Sequence, residues 1–116
     1  MTVKDYTVEE LQAIVAEAKT EAARAAQEYF RVQLGGVDQY SCGFAWTELL
    51  GIKGNSRLGR RLKAAGVKQN WNRSFSIWNP AGIAVQNIDT LEAGAEAAAK
   101  VFERYGISAY ACSRLD

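Results

Sequence analysis

The first third of the chain has the apolar and polar pattern of one long helix. Thr7-Val8-Glu9-Glu10 fits a capping box, in which the Thr7 hydroxyl accepts the backbone N–H of Glu10 and the Glu10 side chain reaches back. No Gly or Pro follows until Gly35-Gly36, residues that favour the left-handed end of a helix. The pattern therefore predicts a helix from Thr7 to Leu34, about 42 Å long at 1.5 Å per residue.

Apolar residues on this helix recur at alternating spacings of three and four, which is typical of a coiled-coil seam. They are Val8, Leu11, Val15, Ala18, Ala22, Ala25, Tyr29 and Val32. A compact chain of this length is a sphere about 35 Å across, so the helix would overhang it and leave the Val8 end without a partner. We therefore expect residues 7–34 to mediate homo-oligomerisation.

The rest of the chain predicts short elements separated by Gly, Asn and Pro turns. They are a strand over 40–49, a helix over 56–65, hairpin strands over 67–69 and 75–78, an extended segment along the sheet edge over 83–88, a helix from Asp89 or Thr90 to Tyr105, and a strand over 107–114. The order αβαββαβ predicts an α+β fold with a small, largely antiparallel sheet covered by helices. We expect a single domain over residues 1–116, with residues 37–116 as its ligand-binding core.

The first strand shows alternation most clearly. Phe44, Trp46 and Cys42 fall on one face, whereas Gly43, Ala45 and Thr47 fall on the other. Cys42 and Cys112 are the only cysteines, too few for a disulfide framework or a structural zinc site, and we expect both to be small buried hydrophobes.

Composition excludes several function classes. The chain of 116 residues contains no histidine, which removes Ser-His-Asp and Cys-His nucleophiles and His-containing metal sites. Neither a GxxxxGK[ST] phosphate loop nor a GxGxxG element is present, so no cofactor is expected. No apolar run is long enough for a membrane span and no signal segment is seen, so the expected location is the cytosol.

The formal net charge of +1 hides a strong segregation of charge. Residues 1–48 carry a net −4 and residues 89–116 a net −2, whereas residues 49–88 hold seven basic residues and no acidic one. A solvated face normally mixes both signs, so a stretch of forty residues without a carboxylate predicts an anion-binding region.

The basic stretch also contains aromatic residues. Guanidinium groups match phosphate oxygens and aromatic rings stack on bases, so this mixture favours a nucleotide-like ligand. The turn from Gly51 to Ser56 adds backbone N–H groups at a helix start, where the helix dipole favours an anion. The candidate ligand-binding residues are Asn55, Ser56, Arg57, Arg61, Trp71, Arg73, Phe75, Trp78 and Arg114. Arg114 has an alternative role as a partner of Asp116 or of the terminal carboxylate.

No pair of carboxylates for acid-base chemistry lies in the basic stretch, which favours binding without turnover. The chain is therefore not expected to be an enzyme.

Four segments resemble a family of small phage proteins, the first type of Thoeris anti-defence sponge. The segments are Cys42-Gly43-Phe44-Ala45-Trp46, Gly54-Asn55-Ser56-Arg57-Leu58-Gly59, Ile77-Trp78-Asn79-Pro80, and Ala109-Tyr110-Ala111-Cys112-Ser113-Arg114-Leu115-Asp116. The resemblance covers nearly the whole chain from residue 37 onward.

The resemblance implies a phage protein that sequesters cyclic nucleotide immune messengers unaltered, in the cytoplasm of an infected or lysogenic bacterium. Family members bind cyclic ADP-ribose isomers made by TIR enzymes, and some hold cyclic oligonucleotides at a separate site. They assemble as dimers or as hexamers built from three dimers. Arg57 and Arg114 would then bind phosphate, and Trp78 or Phe75 would pack against adenine.

Two other functions fit the same residues. A phage protein that binds single-stranded nucleic acid would use the basic stretch against phosphates and the tryptophans against bases. A purely structural oligomer would pack the basic stretch against the acidic first helix of a neighbour.

Overall fold

The computed structural model describes residues 5–116, and residues 1–4 of the predicted domain lie outside that range. Its helices are α1 (Val8–Gln33), α2 (Arg57–Ala64) and α3 (Ile88–Arg104), and its strands are β1 (Gly43–Leu49), β2 (Lys68–Gln69), β3 (Phe75–Trp78) and β4 (Ala109–Leu115). The predicted α+β class and the order αβαββαβ are confirmed.

Local capping signals decide where the first two helices begin. At the start of α1 the Thr7 Oγ accepts the Glu10 N–H at 3.1 Å, and the Thr7 N–H donates to the Glu10 carboxylate at 2.9 Å, which completes the predicted capping box. At the start of α2 the Ser56 hydroxyl accepts the Gly59 N–H at 3.0 Å. Both caps satisfy backbone donors that have no partner within the helix.

The start of α3 differs from the prediction of a cap at Asp89 or Thr90. Asn87 is the N-cap, and its buried side chain accepts the Thr90 N–H at 2.8 Å while its amide donates to the Gln39 carbonyl at 2.8 Å. The helix therefore begins at Ile88, and the predicted extended segment over 83–88 is reduced to a single bridge between Cys42 and Asn87. The cap position follows from hydrogen bonds to a distant loop, which local sequence does not reveal.

The four strands form one antiparallel sheet in the order β2-β3-β1-β4. From β1 to β4 the connectivity is β-α-β-β-α-β, as in the ferredoxin-like split βαβ arrangement. Alternation along β1 sends Ala45, Thr47 and Leu49 into the core, where the Thr47 hydroxyl donates to the Ala95 carbonyl of α3 at 2.8 Å. The other sheet face carries no helix from the described part of the chain.

Helices α1 and α3 pack closely because both present small residues. Ala18, Ala22 and Ala26 of α1 are fully buried. A Cβ added at Gly94 of α3 would lie 3.2 Å from the Ala22 carbonyl oxygen and 3.0 Å from the Ala81 Cβ, so no larger residue fits there without a shift. At the other end of this contact Glu17 binds Arg104 at 2.9 Å.

The prediction that α1 overhangs the rest of the molecule is wrong. The molecule measures 43 × 25 × 23 Å, so a helix of about 39 Å runs along its long axis and does not project from a sphere. Leu11, Ile14 and Val15, the end expected to lack a partner, are buried in the chain's own core. Val32, at the opposite end of the predicted seam, is 55% exposed. Residues 7–34 therefore offer no overhanging end for oligomerisation, and homo-oligomerisation itself stays a prediction.

Across residues 5–116 no helix has the length and apolar character needed to cross a bilayer.

Candidate functional site

The open sheet face carries a group of aromatic side chains placed by strand alternation. Phe44 and Trp46 point away from the helices because they alternate with the buried residues of β1. The register sets Trp78 of β3 opposite Trp46, and Arg114 of β4 opposite Phe44. We call Phe44, Trp46, Trp78 and Arg114 the aromatic platform.

The rings of the aromatic platform are packed on one another yet remain accessible. Trp46 and Trp78 stack with centroids 4.7 Å apart and planes 23° apart, and Phe44 meets Trp78 edge-on at 6.4 Å. Phe44 is 41% and Trp78 is 49% exposed. An exposed ring supported from behind by another ring offers a rigid surface for stacking, so little ordering cost remains when a flat ligand binds.

Arg114 lies beside these rings with its guanidinium carbon 5.5 Å from the centre of the Phe44 ring. A cation over an aromatic face is attracted by the ring quadrupole, by about 0.5–1 kcal/mol at an exposed site. The contact restrains Arg114 at the edge of the platform. Within residues 5–116 no carboxylate lies within 4 Å of the Arg114 guanidinium, so the alternative pairing with Asp116 is not formed.

A polar cluster occupies the other end of the open face. Glu48 accepts a hydrogen bond from the Tyr110 hydroxyl at 2.7 Å. The Ser74 hydroxyl lies 3.0 Å from the other Glu48 oxygen and 2.8 Å from the Asn72 side-chain oxygen, and its one proton is shared between these two acceptors. The bond to Glu48 raises the pKa of Tyr110 well above its usual range.

Burial raises the pKa of the Cys112 thiol, which weakens it as a nucleophile at neutral pH. The prediction that both cysteines are buried is wrong, because Cys112 is half-buried and Cys42 is exposed.

A second region, the basic groove, lies between the Gly-rich turn, the end of α2 and the β2–β3 hairpin. It is a cavity of ≈ 620 Å³ lined by Ile52, Lys53, Gly54, Asn55, Lys63, Gln69 and Arg73. The three cations that line it have no ion pair with any described carboxylate. The groove therefore joins two predicted site residues, Asn55 and Arg73, in a positively charged concavity.

Other predicted anion ligands are engaged within the fold. Arg57 and Arg61 both bind the Asp5 carboxylate, at 2.9 Å and 2.7 Å, and Arg61 also donates to the Tyr6 carbonyl at 2.7 Å. The Ser56 hydroxyl caps α2 and donates to the Lys53 carbonyl at 2.6 Å. A ligand at these residues would have to displace Asp5.

The predicted aromatic residues fall in three different environments. Phe75 is fully buried in the core, so the prediction that its ring stacks on a ligand is wrong for this structure. Trp71 lies at the tip of the hairpin and is 96% exposed. Trp78 alone among the three predicted aromatic residues belongs to the platform. Hairpin register explains the split, because alternation turns Phe75 and Trp78 to opposite faces of β3.

Sequence reasoning missed Phe44, Trp46 and Glu48 as site residues. Alternation along β1 places the two aromatic residues on one face, but the segregated positive charge lies in residues 49–88 and predicts a site that excludes them. In the described residues no three acidic or cysteine side chains lie close enough to hold a metal ion.

The fold and its open face define an α+β domain with a helix-covered sheet and an exposed aromatic platform. Comparison with known protein families, with curated proteins and with solved structures found no match.

Proposed function

We propose that this protein binds a nucleotide on its aromatic platform and holds it without chemical change. The observation that carries the proposal is the exposed, supported Trp78 ring with Arg114 at the edge of the same surface. A base stacking on an exposed ring contributes about 1–3 kcal/mol, and a guanidinium matches the geometry of a phosphate.

Binding without turnover is supported by the groups around the platform. Glu48 is engaged by the Tyr110 hydroxyl at 2.7 Å, and the raised pKa of Cys112 leaves little thiolate at neutral pH. The chain contains no histidine to serve as a general base near neutral pH. These features suit a protein that retains its ligand intact.

The resemblance to the Thoeris anti-defence sponges makes this proposal more specific. The ligand would be a cyclic ADP-ribose isomer produced by a bacterial TIR enzyme, and the protein would act in the cytoplasm of an infected or lysogenic host. Two of the segments that carry the resemblance contain Trp78 and Arg114, which are also platform residues. The basic groove is a separate place for further phosphates, as a cyclic oligonucleotide would need.

The test is isothermal titration of the protein with cyclic ADP-ribose isomers, comparing Trp78→Ala with Trp71→Ala. We expect Trp78→Ala to raise the Kd by about 5- to 150-fold, the equivalent of 1–3 kcal/mol of stacking. Trp71→Ala is the matched control, because it removes an equally large ring from the hairpin tip outside the platform. Equal losses in the two variants would contradict binding at the platform.

A second measurement tests retention. After the complex is denatured, mass spectrometry should recover the cyclic ligand intact. A cleaved product would show that the protein is an enzyme and would refute sequestration.

Single-stranded nucleic acid is the second candidate ligand, and the fold itself favours it. Aromatic side chains on the two central strands of an antiparallel βαββαβ sheet are the groups on which RNA-recognition domains stack bases. Here the two central strands are β1 and β3, which carry Phe44, Trp46 and Trp78. Nucleic-acid binding predicts an affinity that falls steeply with salt and does not require a closed ring, whereas a small cyclic ligand predicts weak salt dependence.

A further inference from the structure

Strand β4 is an edge strand whose outer backbone groups are open. It pairs with β1 on one side, in a register that brings Leu50 and Ser108, and Cys42 and Asp116, into hydrogen-bonded pairs. Hydrogen bonding alternates along an antiparallel ladder, so even-numbered residues of β4 bond to β1. The N–H and C=O groups of the odd-numbered residues Ala111, Ser113 and Leu115 therefore point outward.

No backbone or side-chain group among the described residues bonds to these outward groups. The preceding outward-pointing residue is Ala109, whose N–H donates to the Glu103 carboxylate at 3.2 Å. The unpaired part of the edge therefore begins at Ala111. Proteins usually protect such an edge with a Lys, a Pro, a bulge or a very short strand. Strand β4 pairs with β1 without interruption over seven residues and contains no Lys, Pro or bulge. Its one charged side chain, Arg114, lies over the Phe44 ring of β1.

We propose that β4 pairs antiparallel with β4 of a second copy of this chain, so that two sheets join into one of eight strands. Outward residues must then face outward residues, which restricts the register. A two-fold axis at Cys112 sets Ala111 opposite the partner's Ser113, so the open N–H and C=O groups of these two residues are satisfied in both chains. Leu115 then faces the partner's Ala109, whose N–H stays with Glu103.

The side chains of β4 are self-complementary in this register. On the open face Tyr110 lies opposite the partner's Arg114, a cation beside a ring, and no two like charges face each other. On the helix side Leu115, which is 66% exposed in one chain, lies opposite the partner's Ala109. A register shifted by two residues loses the pairing of Tyr110 with Arg114. Self-complementarity identifies the occupant of the edge as a second copy.

The dimer has a geometric consequence for the open face. Residues directly opposite in a sheet point to the same side, so both aromatic platforms lie on one continuous surface. The two Arg114 residues are about 14 Å apart along the strand direction, four residues at roughly 3.4 Å each. The interface uses no residue of α1, whose apolar stripe is already buried in its own chain. The proposal does not rest on the nucleotide-binding function.

The first test uses variants at Ser113, whose N–H points outward. Ser113→Pro removes that donor but leaves the ladder to β1 intact, as Pro is tolerated on an outer edge. Ser113→Ala is the matched control, because it also loses the side-chain bond to Glu92 but keeps the N–H. At about 0.5 mM protein, a concentration that detects micromolar Kd values, light scattering should give a dimer for the parent and for Ser113→Ala. It should give a monomer with an unchanged far-UV spectrum for Ser113→Pro.

The second test needs no variant. In the parent protein the Ala111 and Ser113 amides should exchange with deuterium at least about tenfold more slowly than amides of an open edge. A monomeric parent with fast exchange at both amides would overturn the proposal and leave the edge to another partner. A folded Ser113→Pro variant that is still dimeric would overturn it too, because the interface would then lie elsewhere.

Discussion

Replacing Leu11 by Ala tests whether the first half of α1 belongs to the core of its own chain. Leu11 is fully buried, and it belongs to the core cluster together with Ile14 and Val15. The coiled-coil interpretation treats the same side chain as part of an interface with another copy. The two interpretations differ in what the substitution does to the stability of a single chain.

The expected magnitude follows from the burial. Substitution of a buried Leu by Ala costs about 2–5 kcal/mol, the sum of the lost transfer free energy and the cavity that remains. Ala is a slightly better helix former than Leu, which offsets a few tenths of a kcal/mol. We expect a loss of about 3 kcal/mol in the free energy of unfolding for Leu11→Ala.

Urea unfolding followed by far-UV circular dichroism measures this loss. With an m-value of about 2 kcal/mol/M for a domain of this size, the midpoint should fall by about 1.5 M. The matched control is Val32→Ala, at a predicted seam position on the same helix that is 55% exposed. It should change the stability by less than about 0.5 kcal/mol. All proteins are compared at one concentration, so that any contribution from association is held constant.

Two results would refute the reasoning. A midpoint for Leu11→Ala within about 0.25 M of the parent would mean that Leu11 is not a core residue, since the loss would then be near 0.5 kcal/mol. Equal losses in Leu11→Ala and Val32→Ala would support a shared interface along the predicted seam.

Two further predictions concern Tyr110 and Ser56. The hydrogen bond to Glu48 raises the pKa of Tyr110 above its ordinary value of 10.0. The contribution of this hydrogen bond to stability is therefore fully present below pH 10.0 and is lost as the pH rises further. Between about pH 9.5 and 11 the urea midpoint of Tyr110→Phe should therefore fall less steeply than that of the parent, and equal slopes would contradict the assignment. Ser56→Ala should cost about 1 kcal/mol because the Gly59 N–H loses its cap, while Asn55→Ala, at an exposed neighbour, should be nearly neutral. Thermal unfolding of the two variants measures the difference, and equal shifts would remove the capping explanation.

Helix limits were predictable where a short local signal decides them. The Thr7 capping box and the start of the second helix near residue 56 each depend on residues three positions apart, and both predictions are confirmed. The cap of α3 was predicted wrongly because Asn87 owes its position to the Gln39 carbonyl, 48 residues away in sequence. A partner at that distance leaves no trace in the local pattern.

The candidate site was predictable only in part. Trp78 and Arg114, both predicted to bind a ligand, lie together on the open sheet face, whereas Phe75 is fully buried although it lies three residues from Trp78. Composition treats both rings alike, whereas the strand sends them to opposite faces. Arg57 and Arg61 count as free cations in a charge sum, yet a single carboxylate at Asp5 binds both.

The sequence by itself determined the element order, the α+β class and the aromatic side of β1, because capping, glycine stops and strand alternation act over a few residues. Only the tertiary structure decided what covers each face. Helix α3 covers the stripe of α1 that was expected to need another copy, and nothing among the described residues covers the outer edge of β4. The physical reason is that burial depends on which elements meet across the fold, and apolar periodicity marks a face to be buried without naming its partner.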